Sequence, residues 1–234
     1  NPQLFLWAIA LISFAFGPLM WAWSLTRTSV ANSALIHNLI PLFTTIGGWL
    51  FLSQSFKSRF LIGTAIAVVG AIALGVNDFQ LDTSKIQGDF LALIAAVFLA
   101  IHLLSAERLR VKFSSTTVLL WGSAAGTLLI LPILLVLGDR LFPYSLQGWL
   151  SAIALATIGQ VLAIGLLIYS LSQLSAALVA LVLLLDPVLT AIAAWIAFGE
   201  TLNLWNAIAF AVILLGVYLG VSSPSVVTNQ SVES

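Results

Sequence analysis

One pattern occurs twice in this sequence: two apolar helices, the first interrupted near its middle by a proline. It spans 29–76 and again 175–221. Setting Pro41 on Pro187 fixes an offset of 187 − 41 = 146. Without a gap, the same offset pairs Ser29 with Ser175, Thr44 with Thr190, Trp49 with Trp195 and Gly70 with Gly216. Leu and Ala pairs arise easily between apolar helices and carry little weight; Pro, Trp and Gly kept in register carry more. The chain contains an internal repeat, and its fold must hold both copies.

Composition decides the solvent. The chain is 61% hydrophobic and 7% charged, whereas a soluble domain carries roughly 25% charged residues. Apolar runs of bilayer length, about 17–25 residues, recur along it. Helices are expected over 4–25, 29–52, 59–76, 88–107, 116–137, 148–171, 175–198 and 203–221. The expected fold class is all-α, a polytopic membrane helix bundle. With no cysteine there is no disulfide and no thiolate metal site. Eight Lys+Arg balance eight Asp+Glu with no basic run, which excludes nucleic acid as a partner. Two histidines on distant helices are too few for a metal site. No HExxH, P-loop or Gly-rich dinucleotide turn is present. No cofactor and no enzymatic activity are expected.

Charge sits in the short loops and sets orientation. Lys57, Arg59, Arg108, Arg110 and Lys112 lie on one side, against Arg27, Lys85 and Arg140 on the other. The positive-inside bias puts the first side, and both chain ends, in the cytoplasm. Asp78, Asp82 and Asp139 also fall in loops. Trp121, Trp149 and Trp205 open their helices, and Trp49 and Trp195 lie near helix ends, the depths that suit indole rings. The matching helices 29–52 and 175–198 are separated by an odd number of crossings, so they run in opposite directions. The repeat is inverted, a plan common in secondary transporters, which place substrate at mid-membrane between the halves. Residues 1–78 are expected to form the last three helices of the first unit and 79–221 the complete second unit of five. A disordered cytoplasmic tail is expected over 222–234. Asn1-Pro2-Gln3 does not begin a signal peptide, and two further helices are expected before it.

Gly88-Asp89-Phe90-Leu91-Ala92-Leu93-Ile94-Ala95-Ala96, Leu185-Asp186-Pro187-Val188, Phe198-Gly199-Glu200 and Gly216-Val217 occur in that order around the doubled unit. In this the chain resembles the drug/metabolite transporter superfamily, EamA type, over 4–221. The resemblance implies a ten-helix bundle of two inverted five-helix repeats that moves small metabolites across a membrane. The Gly-Glu hinge of that family stands as Gly199-Glu200 in the second unit and as Ser53-Gln54 in the first.

Several polar residues stand out in so apolar a chain. Asp186 lies at mid-helix, where a charge costs about 2.5–3.5 kcal/mol, so a neutral, proton-exchanging carboxyl is expected. Pro187 and Pro41 each remove a backbone donor and are expected to act as hinges. His37 and Asn38 precede Pro41 by about one turn, and an Asp186–His37 proton relay is expected. Gln160 is a candidate hydrogen-bonding residue for substrate; the alternative for all of these is helix–helix glue. Thr190 follows Asp186 by one turn, and Ser13, Gly17 and Trp21 mark one face of the first helix, where Trp21 is a cavity candidate but is expected first as an interfacial ring. His102, near Glu107 and Arg108, is expected to pair or snorkel at the helix end. Gly122 and Gly126 form a GxxxG expected to pack helices closely, and Pro132 is expected to kink its helix.

The sequence thus points to a secondary transporter, expected to export small metabolites such as amino acids by alternating access, with proton coupling. It would sit in a bacterial inner (plasma) membrane. Its expected partners are a small-molecule substrate, the lipid bilayer, protons and a second copy in a homodimer. The competing reading is a non-transporting membrane scaffold or assembly subunit.

Overall fold

The computed structural model describes residues 2–75, 85–138, 142–198 and 203–223. The Gly199-Glu200-Thr201 hinge, the loop charges Asp78, Asp82, Asp139 and Arg140, and the tail from 224 onward lie outside these residues. Among the described residues, eight helices are long and apolar enough to cross a membrane. They are α1 (Gln3–Leu25), α2 (Val30–Leu52), α3 (Ser58–Gly75), α4 (Ile86–Arg110), α5 (Ser115–Leu137), α6 (Leu146–Ser170), α7 and α8 (Leu204–Val221). α7 comes in two pieces, Ala176–Leu183 and Asp186–Phe198. The helical class follows from the solvent, because hydrocarbon satisfies no backbone group and a helix closes its own hydrogen bonds.

The repeat is written into the helix ends. α2 is also broken, into Val30–His37 and Ile40–Leu52. Adding 146 to these bounds and to those of Ser58–Gly75 gives 176–183, 186–198 and 204–221, the bounds of both α7 pieces and of α8. Ser29 and Ser175 cap the two copies alike, each hydroxyl accepting from the backbone N–H three residues on, at Asn32 and Leu178. Proline causes both breaks. Pro41 lacks the N–H that would bond the His37 carbonyl, and Pro187 leaves the Leu183 carbonyl in the same position. The turn before each proline tightens instead, with Leu39 N–H on Ile36 O at 3.1 Å and Leu185 N–H on Val182 O at 3.0 Å.

α4 proves the inversion. At its start, Asp89 accepts from the Thr28 hydroxyl at 2.6 Å and from the Asn32 amide at 3.3 Å, both at the start of α2. At its end, Glu107 accepts from the Ala176 N–H at 2.9 Å, in the first turn of α7. The two acids are 107 − 89 = 18 residues apart, about 27 Å along one helix. The matching helices therefore begin on opposite sides of the molecule. α3 and α8 pack most intimately, through small residues that let backbones approach. A Cβ on Gly63 would stand 2.5 Å from the Gly220 nitrogen, and a Cβ on Gly70 2.9 Å from Ile213 nitrogen. Gly216 lies as tightly on Ala67. Shifted by 146, the Ala67–Gly216 contact becomes Ile213–Gly70, so the two-fold relating the copies passes between these helices.

Two cores result. Small residues of α4 (Ala96, Ala100, Ala106) join Ile168, Leu171 and Ala180 in one, which lets α1 and α4 lie close. Phe60, Ala67, Leu181, Leu184, Ile213 and Val217 fill the other, between α3, α7 and α8. α6 stands apart from both along most of its length. Its Leu155–Ile164 stretch is wound as a π-helix with no buried residue, and it meets α4 and α5 through Gly165–Ser170.

Candidate functional site

A cavity of about 200 Å³ opens beside the break in α2. α1 contributes Ser13, Phe14 and Trp21, α2 His37, α4 His102 and α6 Gln160. Four residues singled out from the sequence, Ser13, Trp21, His37 and Gln160, thus meet in one place. Gln160 comes from the π-helical stretch, and such widened turns favour functional positions.

The walls are built from the inside out. Gly122 and Gly126 of α5 do not pack helix backbone on helix backbone; they seat the Phe14 ring, whose atoms would meet a Gly122 Cβ at 3.2 Å. Phe14 in turn stands edge-on to His102, ring centroids 5.0 Å apart. The Ala10 carbonyl accepts from the Ser13 hydroxyl at 3.1 Å and lies 3.4 Å from His102 Nδ1. Ser13 therefore spends its hydroxyl proton on its own helix, a common fate of serine in apolar helices. Trp21 lies over His37 with ring centroids 4.3 Å apart. His37 Nδ1 and His102 Nε2 are both buried without a hydrogen-bond partner among the described residues, which is rare enough in a native fold to call for a reason.

His102 corrects the sequence reading. It neither pairs nor snorkels at the helix end: it is 5% exposed and lines the cavity, while Glu107 is engaged with Ala176 and Gln54. Its signal was present, since Ala95, Leu99 and His102 follow helical spacing and all three line the cavity. Phe14 carried no such signal in a helix apolar all round.

The remaining candidates lie elsewhere. Asp186 opens the second piece of α7, exposed, and Thr190 one turn later is exposed too. Neither lines the cavity, and no hydrogen bond joins Asp186 to His37 among the described residues. Asn38 closes the first piece of α2, its backbone N–H on Ala34 O at 3.1 Å. Pro41 is buried at the start of the second piece. Its carbonyl accepts from the Thr45 hydroxyl at 2.6 Å and the Thr44 hydroxyl at 3.1 Å, so the polar backbone beside the break is partly satisfied.

The Ser53-Gln54 variant of the hinge has a local explanation. Ser53 adopts a left-handed conformation, φ 52° and ψ 29°, which glycine takes without a Cβ clash. Gln54 donates from Nε2 to Glu107 Oε1 at 2.7 Å. A glutamate at 54 would set carboxylate against carboxylate there. The basic residues of this end do more than mark topology. Arg108 donates to the Leu52 carbonyl at 3.2 Å and Arg110 to the Ile168 carbonyl at 3.1 Å, closing the ends of α2 and α6. A groove of about 600 Å³, lined by Trp49, Ser53, Gln54 and Phe56, opens at this same level, away from the helix breaks.

Known proteins carry the same architecture. The EamA-like transporter family matches residues 2–76 and 86–222. The chain is 26% identical over 224 residues to an uncharacterized transporter of Methanothermobacter thermautotrophicus, covering 94% of this chain and 64% of that protein. It is 27% identical over 221 residues to the uncharacterized transporter YdfC of Bacillus subtilis, covering 92% of this chain and 70% of the relative. The chain thus spans somewhat less than two thirds of the first of these proteins. A crystal structure of a protein 17% identical superposes with a TM-score of 0.80 over 92% of this chain and 77% of the other, which shows a common fold. By the extent of the family match, from the first helix to the last, the chain belongs to the EamA-like transporter family.

Proposed function

We propose that this protein is a secondary transporter that exports small metabolites, with the cavity between α1, α2, α4 and α6 as its substrate site. One observation carries the reading: Ser13, Trp21 and Gln160 meet His37 and His102, whose buried nitrogens lack partners among the described residues, in a single cavity beside a proline break. Scaffolding gives no reason to leave those nitrogens unpaired in an apolar setting. Alternating access takes place about the Asn38-Leu39 and Leu184-Leu185 breaks, the two halves rocking around the site. The basic side of α2, α3 and α4 faces the cytoplasm of a bacterial inner membrane, with both chain ends there. Proton coupling is assigned to Asp186, which stands exposed at the start of the second piece of α7 and apart from the cavity.

Repeat symmetry supports one more element. α1 is covered by α4 and α5, while α6, its counterpart, exposes the corresponding surface. Two apolar helices matching α4 and α5 cover α6 in the whole protein, completing ten, and the finished bundle forms a homodimer.

Uptake of labelled amino acids and related metabolites into proteoliposomes tests the assignment. Flux of at least one solute is expected, reduced by a bulky side chain in the cavity (Ser13→Trp). A chain that moves none of them is a scaffold. If flux is indifferent to a pH gradient and to Asp186→Asn, transport stands and proton coupling falls.

A further inference from the structure

We infer that the cavity selects neutral, ring-bearing solutes that carry an N–H donor, and that His102 is the residue that recognises the donor. The inference rests on the transport reading of the cavity and adds the chemistry of what enters it.

Hydrogen-bond logic fixes the polarity of His102. Its Nδ1 faces the Ala10 carbonyl at 3.4 Å, and a carbonyl only accepts, so this nitrogen carries the proton. In a neutral imidazole the other nitrogen is then a bare lone pair. That nitrogen, Nε2, is buried and has no partner among the described residues, and the side chain is 5% exposed on the cavity wall. An unpaired acceptor in apolar surroundings is satisfied by a donor the solute brings. Among the described residues no carboxylate and no Lys or Arg lines the cavity, so a charged solute would lose its hydration there without a counter-ion. Neutral solutes escape that penalty.

The walls supply the ring preference. Trp21 and Phe14 present aromatic surface, and Phe14 is locked by Gly122 and Gly126 on its far side. A planar ring entering there meets faces and edges already held in place, which favours stacked or edge-on contacts. Gln160, the cavity residue from the π-helical stretch of α6, supplies both an amide donor and a carbonyl acceptor. Its side chain makes no hydrogen bond among the described residues. A primary amide on an aromatic ring suits this set: its N–H meets His102 Nε2 and its carbonyl meets the Gln160 amide.

Benzamide and N,N-dimethylbenzamide form the test pair, matched in ring and carbonyl and differing in the N–H donor. Binding is measured by equilibrium dialysis with the full chain in lipid nanodiscs, alongside proteoliposome flux. Benzamide is expected to bind wild type about tenfold more tightly than its dimethyl analogue, the worth of one buried hydrogen bond. H102N keeps a donor for Ala10 but lacks the distal acceptor, and should abolish that preference. H102Q, which returns an acceptor at the distal position, should restore part of it, so a merely structural role is told apart. A monodisperse elution profile checks that each variant folds. Equal binding of the two probes to wild type, undiminished preference in H102N, or no benzamide binding at millimolar concentration overturns the inference. Preference without flux keeps the recognition and removes transport; flux of other solutes, indifferent to His102 substitution, does the reverse.

Discussion

The two copies of the repeated unit, α2–α3 and α7–α8, share helix bounds, serine caps and proline breaks at a constant offset, yet their side chains have parted. In α2, Asn32, Ser33 and Thr44 are buried and His37 lines the cavity. The corresponding positions of α7 hold apolar Leu178, Val179 and Leu183, while Thr190 keeps the residue of Thr44 but stands exposed. Buried Ile40 of α2 corresponds to exposed Asp186 of α7. Backbone features that set the bundle's geometry are held in both copies, because each is needed twice to close one two-fold arrangement. Chemistry is needed once, and α2 has most of it.

The comparison breaks most decisively at the α3–α8 seam. Gly70→Leu and Gly216→Leu each force a side chain into backbone and should each cost about 3 kcal/mol, read from unfolding in mixed micelles. Because the two sites are images of one another, losses that differ by more than about 1 kcal/mol would argue against a two-fold there. Next in size is the hinge. Gln54→Glu should destabilise by about 1–2 kcal/mol in the same assay, because it replaces the amide that donates to Glu107 with a second carboxyl at 2.7 Å.

Smaller effects sharpen the backbone symmetry. Ser29→Ala and Ser175→Ala should each lose about 1 kcal/mol, Ser29→Ala somewhat more because its hydroxyl also donates to the Asn32 side-chain amide oxygen Oδ1 at 2.9 Å. Ser53→Gly should gain about 0.5–1 kcal/mol by relieving a left-handed residue. A loss on that substitution, in the same unfolding assay, would mean that Ser53 makes a contact its conformation does not reveal.

Sequence carried the architecture further than the site. Span number and ends were legible because bilayer length is a one-dimensional rule, and Pro41, Pro187, Ser29 and Ser175 sit at positions a simple offset exposes. His37 and Gln160 were legible as polar residues near mid-helix; that Ser13 and Trp21 meet them was not. Facing was not legible either. A helix apolar all round has no amphipathic stripe to show which side meets its neighbours, so the outward aspect of Asp186 and the inward aspect of His102 and Phe14 depend on packing alone. The Gly122 and Gly126 pair shows the same limit: its spacing announces a close approach, but not that an aromatic ring makes it.

The acids at the two ends of α4 bear on how the protein is made. Thr28 and Asn32 precede Asp89 along the chain, so that contact can form as soon as α4 leaves the ribosome. Glu107 must wait for Ala176, and Gly63 for Gly216 and Gly220. Synthesis from the N-terminus therefore lays down α1, α2 and α4 as a half-finished wall, with Glu107 holding the berth into which the beginning of α7 later docks.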